Sequence, residues 1–134
     1  MGWGMLQEYE GFHTHVIPFS KSVPALRKET QERQCFAECD IMASYFHFPS
    51  GTNGLVEVRI MVQGAGGDRQ VVPYPQDTFI ALDNTTLPVG NLQVALRRGD
   101  KIRVEWYNYD GGNAHRCPVE VMVREHGRLD RPVK

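Results

Sequence analysis

The amino-acid sequence predicts an all-β domain of antiparallel strands, because three stretches alternate apolar and polar residues strictly: Leu55 to Val62, Lys101 to Tyr107 and Pro118 to Arg124. Side chains on a strand point alternately to opposite faces. Val56, Val58, Ile60 and Val62 therefore line one surface, as do Ile102, Val104 and Trp106, and Val119, Val121 and Val123. Each strand is dry on one face and wet on the other. Parallel sheets covered by helices read as continuous apolar runs instead, so this pattern belongs to antiparallel sheets packed as a sandwich or barrel.

The elements follow in chain order. Residues 1–12 form an arm with three glycines and no period, in which Trp3, Met5, Leu6, Tyr9 and Phe12 are the large apolar groups. Such a segment is costly to leave in water, and a neighbouring subunit is the preferred surface for it. A sandwich domain over 13–126 and a basic, polar tail over 127–134 complete the division. His13 to Ser20 reads as a first strand, placed at an edge by Pro18, which cannot donate to an interior ladder. Lys21 to Gln34 is polar and reads as a loop or a single helical turn. Cys35 to Phe48 reads as a long bent strand. Its pattern slips, with Ile41, Ala43 and Tyr45 set against Met42, Phe46 and Phe48, which places it centrally with both faces covered.

Pro49 to Gly54 is a dense turn signal ending in an Asn-Gly pair, expected to join two antiparallel strands. Gly64 to Asp68 is a hairpin loop leading into Arg69 to Pro73. A phosphate-loop reading of those glycines fails, because no Lys-Ser or Lys-Thr follows and no helix signal supplies an amino end. Asp77 to Leu82 and Asn91 to Arg97 read as strands separated by a connection over 83–90. Arg98-Gly99-Asp100 is a tight turn, and Asp110 to Asn113 the last hairpin loop. The sum is about eight short strands at sandwich spacing, with no helical periodicity and no internal repeat.

Composition narrows the class of function. The chain has 134 residues, enough for one core, with 41% apolar and 23% charged residues, as in ordinary globular proteins. The net charge of -1, with both signs interleaved, lacks the basic footprint that phosphate neutralisation requires, so nucleic acid is not an expected partner. No apolar run approaches the ~18 residues that span a bilayer. Met1 to Gly11 has neither the basic start nor the apolar core of a signal peptide, so the chain reads as soluble and not exported by that route. Three cysteines, an odd number, argue for reduced thiols rather than a disulfide framework. If Cys35 and Cys39 share a strand, their α-carbons lie ~13 Å apart, beyond the ~7 Å limit for a bridge. A link from Cys117 to either one stays open.

The candidate chemistry is sparse. His13 and His15 alternate on one strand, as do His115 and Cys117, and together with Cys35 and Cys39 they supply soft ligands for a zinc ion. Cupins use such a histidine pair, but the carboxylate and second-hairpin histidine of that pattern are missing, with Gln93 where the histidine belongs. Two Cys-x-x-Cys knuckles are missing as well, so His13, His15, His115 and Cys117 remain weak metal candidates and no cofactor is expected. No serine sits in a Gly-x-Ser-x-Gly elbow and the cysteines lie in strand-like contexts, so an enzyme is not expected. Glu105 and Glu120 fall on polar strand faces, where solvation is the ordinary role. Trp106 belongs to the core face. Tyr107 and Tyr109 fall opposite it with Arg103 and Glu105, forming either a subunit interface, where Tyr and Arg are enriched, or a stacking platform for sugar rings.

The segments His47 to Ile60, Leu96 to Val104 and Tyr107-Asn108-Tyr109-Asp110 resemble small jelly-roll proteins encoded among phage and prophage structural genes. That likeness covers turn and strand signatures, and it implies a jelly-roll sandwich serving as a virion component, such as a capsid-decoration or spike subunit. It further implies a homo-oligomer, a trimer favoured, in contact with other virion proteins and carrying no catalytic residue. The expected interface residues are Trp3, Met5, Leu6, Tyr9, Phe12, Tyr107 and Tyr109. The alternatives are a carbohydrate-binding module presenting Tyr107 and Tyr109 beside Asn108 and Arg103, and a metal-binding small β-barrel.

Overall fold

The computed structural model describes residues 13–74 and 76–126. The arm over 1–12 and the tail over 127–134 lie outside them. Among the described residues there is no helix, and therefore none long and apolar enough to cross a membrane. Eleven strands occur: β1 (His13–Phe19), β2 (Ser22–Val23), β3 (Lys28–Gln34), β4 (Cys39–Phe48), β5 (Val56–Gly64), β6 (Gly67–Val72), β7 (Thr85–Val89), β8 (Val94–Leu96), β9 (Lys101–Asn108), β10 (His115–Arg116) and β11 (Val119–Glu125).

They form two antiparallel sheets. One runs β1-β11-β4-β7, with β8 also on β4, and the other runs β3-β9-β5-β6; β10 and β2 make a small separate pair. The chain changes sheet between β1 and β3, β3 and β4, β4 and β5, β6 and β7, β8 and β9, and β9 and β11, which is the jelly-roll order. Consequently the 110–113 turn, expected as a hairpin loop, and the 49–54 turn, expected to join two antiparallel strands, both carry the chain across the sandwich, since β4 and β5 lie in different sheets, as do β9 and β11. The Gly64 to Asp68 turn is a true hairpin, with Gly64 opposite Gly67.

The alternating segments do what their period demands. Val56, Val58, Ile60, Ile102, Val104, Trp106 and Val121 are fully buried and meet Ile41, Phe46 and Val23 in one apolar layer between the sheets. Each such side chain contributes about 1.5–3 kcal/mol by leaving water. The slip in β4 has a geometric cause. The β4–β11 register shifts between Met122 and Val123, so that Met122 faces Ala43 while Val123 faces Ile41 and Met42 is the extra residue of a bulge. Before it Cys39 and Ile41 are buried; after it Ser44, Phe46 and Phe48 are. Leu92 N donates to Met42 O at 3.0 Å where the opposing edge breaks into β7 and β8.

The structure departs from the sequence expectation at four segments. Lys28 to Gln34 is a strand rather than a loop or helical turn, because a polar edge strand needs only one partner and finds it in β9. Cys35 lies before β4, not in it. Thr85 to Val89 is a strand on β4 rather than part of a connection. The segment 77–82 is no regular strand and shares with β5 only the isolated Val58–Ile80 bridge in place of a ladder.

Two buried side chains tie the layers. Trp106 Nε1, from the four-stranded sheet, donates to Cys117 O at 2.7 Å, just before β11 in the other sheet. Asn108 Nδ2 donates to Val23 O (3.0 Å) and Asn113 O (2.9 Å), while its Oδ1 accepts from Asp110 N (2.8 Å). Replacing Trp106 by Phe strips the Cys117 carbonyl of its donor. The expected loss is ~1–3 kcal/mol in urea unfolding with an unchanged denaturant slope.

Candidate interaction surface on the four-stranded sheet

The outward side of the β3-β9-β5-β6 sheet carries the residues that the period predicts as wet: Arg103, Glu105 and Tyr107 from β9, Arg59 from β5, and Asp68 and Gln70 from β6. Glu105 departs from the solvated role, with only 3% of its surface exposed. It lies between two guanidinium groups. Arg59 Nε donates to Oε1 at 2.8 Å and Arg103 Nε to Oε2 at 2.9 Å, with the Tyr107 hydroxyl donating to Oε1 at 3.2 Å. Arg103 continues to Asp68 at 2.8 Å and to Glu32 at 3.7 Å.

A roof explains how a carboxylate on a nominally wet face becomes buried. Gln70 is itself buried and holds the chain beyond β6 in place. Its Nε2 donates to Pro73 O (2.6 Å) and Thr78 O (2.9 Å), and its Oε1 accepts from Asp77 N (3.2 Å) and Arg59 Nη1 (3.1 Å). The Gln76 amide bonds the main chain of Gln70 on both sides, Nε2 to its carbonyl at 2.9 Å and Oε1 from its N–H at 3.2 Å. Val58 and Ile80 exchange backbone hydrogen bonds at 2.9 and 3.0 Å. Phe79 is thereby laid edge-on against Tyr107 (5.3 Å, 78°), with the Arg59 guanidinium 4.8 Å from its ring.

Burial pushes the Glu105 carboxyl upward, but the Arg59 hydrogen bond and charge, with Lys28 and Arg103, outweigh it and hold the group below the usual range. Every Arg59 nitrogen faces a partner, the third being the Tyr107 hydroxyl at 3.5 Å from Nη2. The cluster is a locked plate: each Arg59 nitrogen is already committed to a partner within the protein.

At one end of the same sheet the surface changes character. Leu26, Leu55 and Tyr109 are 66%, 37% and 56% exposed. Their segments are hydrogen-bonded neighbours, Asn108 N donating to Arg27 O and Tyr109 N to Leu55 O. Leu26 adopts φ +58° as the third residue of the Pro24–Arg27 turn, closed by Arg27 N on Pro24 O at 3.2 Å. Such a turn position favours Gly or Asn, and a leucine there is strained by roughly 1–2 kcal/mol.

The expected site residues separate accordingly. Trp3, Met5, Leu6, Tyr9 and Phe12 lie outside the described residues. Tyr107 belongs to the locked plate, whereas Tyr109 stands at the apolar end, its phenol made less acidic by Glu57. Asn108 is buried in turn-holding bonds and Arg103 is held by Glu105 and Asp68, so neither is presented beside the tyrosines. His13 opens β1 opposite Glu125, and His15 Nε2 lies 3.8 Å from Glu125. His115 Nε2 meets Asp110 at 2.8 Å, and that carboxyl, held chiefly by the Gly112 N–H and then by His115, drops to about 2. Cys117 is buried, its thiol pushed up to about 11 by desolvation. Among the described residues no group of three or more His, Cys, Asp or Glu is arranged around a common point. Glu120 pairs with His47 at 3.0 Å. Cys35 and Cys39, set apart on the assumption of a shared strand, instead bring their sulfurs within 3.8 Å of each other.

Replacing Glu105 by Gln leaves two guanidinium groups facing a neutral amide under the roof, and the expected cost is ~2–4 kcal/mol at neutral pH. Because the folded carboxyl titrates below its unfolded value, its contribution is complete above the ordinary carboxylate range and disappears as pH falls through the folded value. Urea unfolding of both proteins from pH 7 down to pH ~2 should therefore show the gap between wild type and Glu105→Gln shrinking on acidification.

No protein-family model matches the sequence, and no curated protein matches it. Solved structures similar to the chain include one described as the structure of infectious bursal disease virus Gx strain, at 13% identity over 87% of this chain and 34% of that one, TM-score 0.46. They also include a Bacillus endospore appendage described as belonging to a family of disulfide-linked pili, at 12% identity over 86% and 88%, TM-score 0.41. A third is a chain of the cyanophage Pam1 capsid asymmetric unit, at 12% identity over 86% and 82%, TM-score 0.40. The chain spans about a third of the length of the bursal disease virus chain.

Proposed function

We propose that this protein is a non-enzymatic structural subunit of a virion, a capsid-decoration or assembly component that associates with copies of itself and with other virion proteins. The observation that carries the self-association is the end of the four-stranded sheet, where Leu26, Leu55 and Tyr109 are exposed together. Leu26 is both strained and wet there, a combination that costs stability in the isolated subunit and that a covering partner offsets. The virion setting rests on the likeness of the 47–60, 96–104 and 107–110 motifs to phage structural jelly rolls. The arm supports it in kind: Trp3, Met5, Leu6, Tyr9 and Phe12, each adding ~1.5–3 kcal/mol when buried, provide contact area for a clasp on an adjacent subunit.

The test is solution mass by light scattering, with a trimer expected for the full chain. Removing residues 1–11 should lower that mass while the β-type circular dichroism persists. Leu26→Asn should weaken association as well, yet leave monomer stability unchanged or raised by up to ~1 kcal/mol, since Asn tolerates the left-handed backbone. A full-length chain that is monomeric at micromolar concentration overturns the proposal, as does a mass indifferent to both changes.

A further inference from the structure

The connection between β3 and β4 brings two thiols together. Cys35 precedes β4 and Cys39 is its first residue, and the Cys39 thiol points at the Cys35 sulfur across 3.8 Å. Both are buried, yet the residues between them form a surface turn in which Phe36 is 77% exposed. Cys35 is anchored at both main-chain atoms to the turn ahead of β9. Its N–H donates to Asp100 O, and its carbonyl accepts from Gly99 N, each at 2.8 Å. Cys39 is fixed between Leu96 and Glu125 in its sheet. The fold therefore delivers the two sulfurs from two rigid supports, and side-chain rotation through less than 2 Å closes the remaining gap to a ~2.05 Å bond.

We propose that Cys35 and Cys39 are an intramolecular disulfide site, oxidised by exchange with a small-molecule disulfide of the glutathione class. The Cys35 thiol loses its proton to solvent and its sulfur attacks one sulfur of the reagent, expelling one small thiolate that takes up a proton. Cys39 then loses its proton and attacks the Cys35 sulfur of the mixed disulfide, expelling the second small thiol. Two protein thiols are oxidised by two electrons in all, and the reagent is reduced to two thiols. The order follows from the hydrogen bond: donation from Cys39 favours the thiolate on Cys35, with burial and the charges of Asp100 and Glu125 opposing it. Cys117 is buried just ahead of β11, whereas Cys39 pairs with Glu125 at the far end of that strand. With only three residues between the cysteines the bridge closes a short loop, so its effect is local: it fixes the turn carrying Phe36 to the start of β4. The site suits a protein made in a reducing cytosol that later works outside it, but it does not depend on the assembly reading.

The experiment uses the full chain, folded and without denaturant, equilibrated in mixtures of reduced and oxidised glutathione, acid-quenched, alkylated and digested. Free thiols should fall from three to one, with the Cys35 and Cys39 peptides joined to each other, and dithiothreitol should restore all three. Cys39→Ser should instead stop at a glutathione adduct on Cys35, and should that variant not fold, the peptide map of the wild type decides alone. Three thiols retained in fully oxidised glutathione overturn the proposal. So do a bridge to Cys117, a bridge between chains, and closure only after unfolding.

Discussion

Every second side chain of β5, β9 and β11 must leave water, and neither sheet can achieve this alone. That single requirement fixes the sandwich. A strand presents alternate faces, so hiding Val56, Val58, Ile60 and Val62 needs a second surface of matching size, which Ile41, Phe46, Val119, Val121 and Val123 provide. The jelly-roll path follows from it, because a chain that crosses repeatedly between sheets contributes to both sides of the same dry layer. The bulge at Met42 serves the same end, re-aiming the second half of β4 so that Phe46 and Phe48 still point inward.

The outer side of the four-stranded sheet is governed by the opposite problem. Glu105 is withdrawn from water there and needs compensation at both oxygens. Arg59 and Arg103 supply that in hydrogen-bonding geometry, and Gln70 in turn supports Arg59. Such an arrangement adds little net stability over an apolar plug of the same shape, yet it is intolerant of losing a member. Its contribution is to specify where Pro73 and the residues 76–80 lie against the sheet.

The dry layer was legible in the sequence because period-two alternation depends on nothing but local spacing. Val58, Val104 and Val121 were placed inward from their neighbours alone, and all three are fully buried. What could not be read depends on contacts distant in the chain. Lys28 to Gln34 carries no apolar rhythm, and its strand character is imposed by β9. Glu105 reads as solvated from its own strand alone, because the Arg59 that encloses it with Arg103 and Tyr107 comes from β5. The spacing of Cys35 and Cys39 converts to a distance only within one strand, and the turn between them brings their sulfurs together instead. A signal for the plate existed in the arginines and tyrosine flanking Glu105, but the partners from β5 and β6 became visible only with the register.

The Gln76 side chain occupies both main-chain groups of Gln70 that face away from β5, imitating one peptide unit of a further strand. An outermost strand blunted in this way is a poor template for a strand added from another chain. The outer edge of the four-stranded sheet is thereby closed at this point to an intruding strand, and its ladder stays within the one chain.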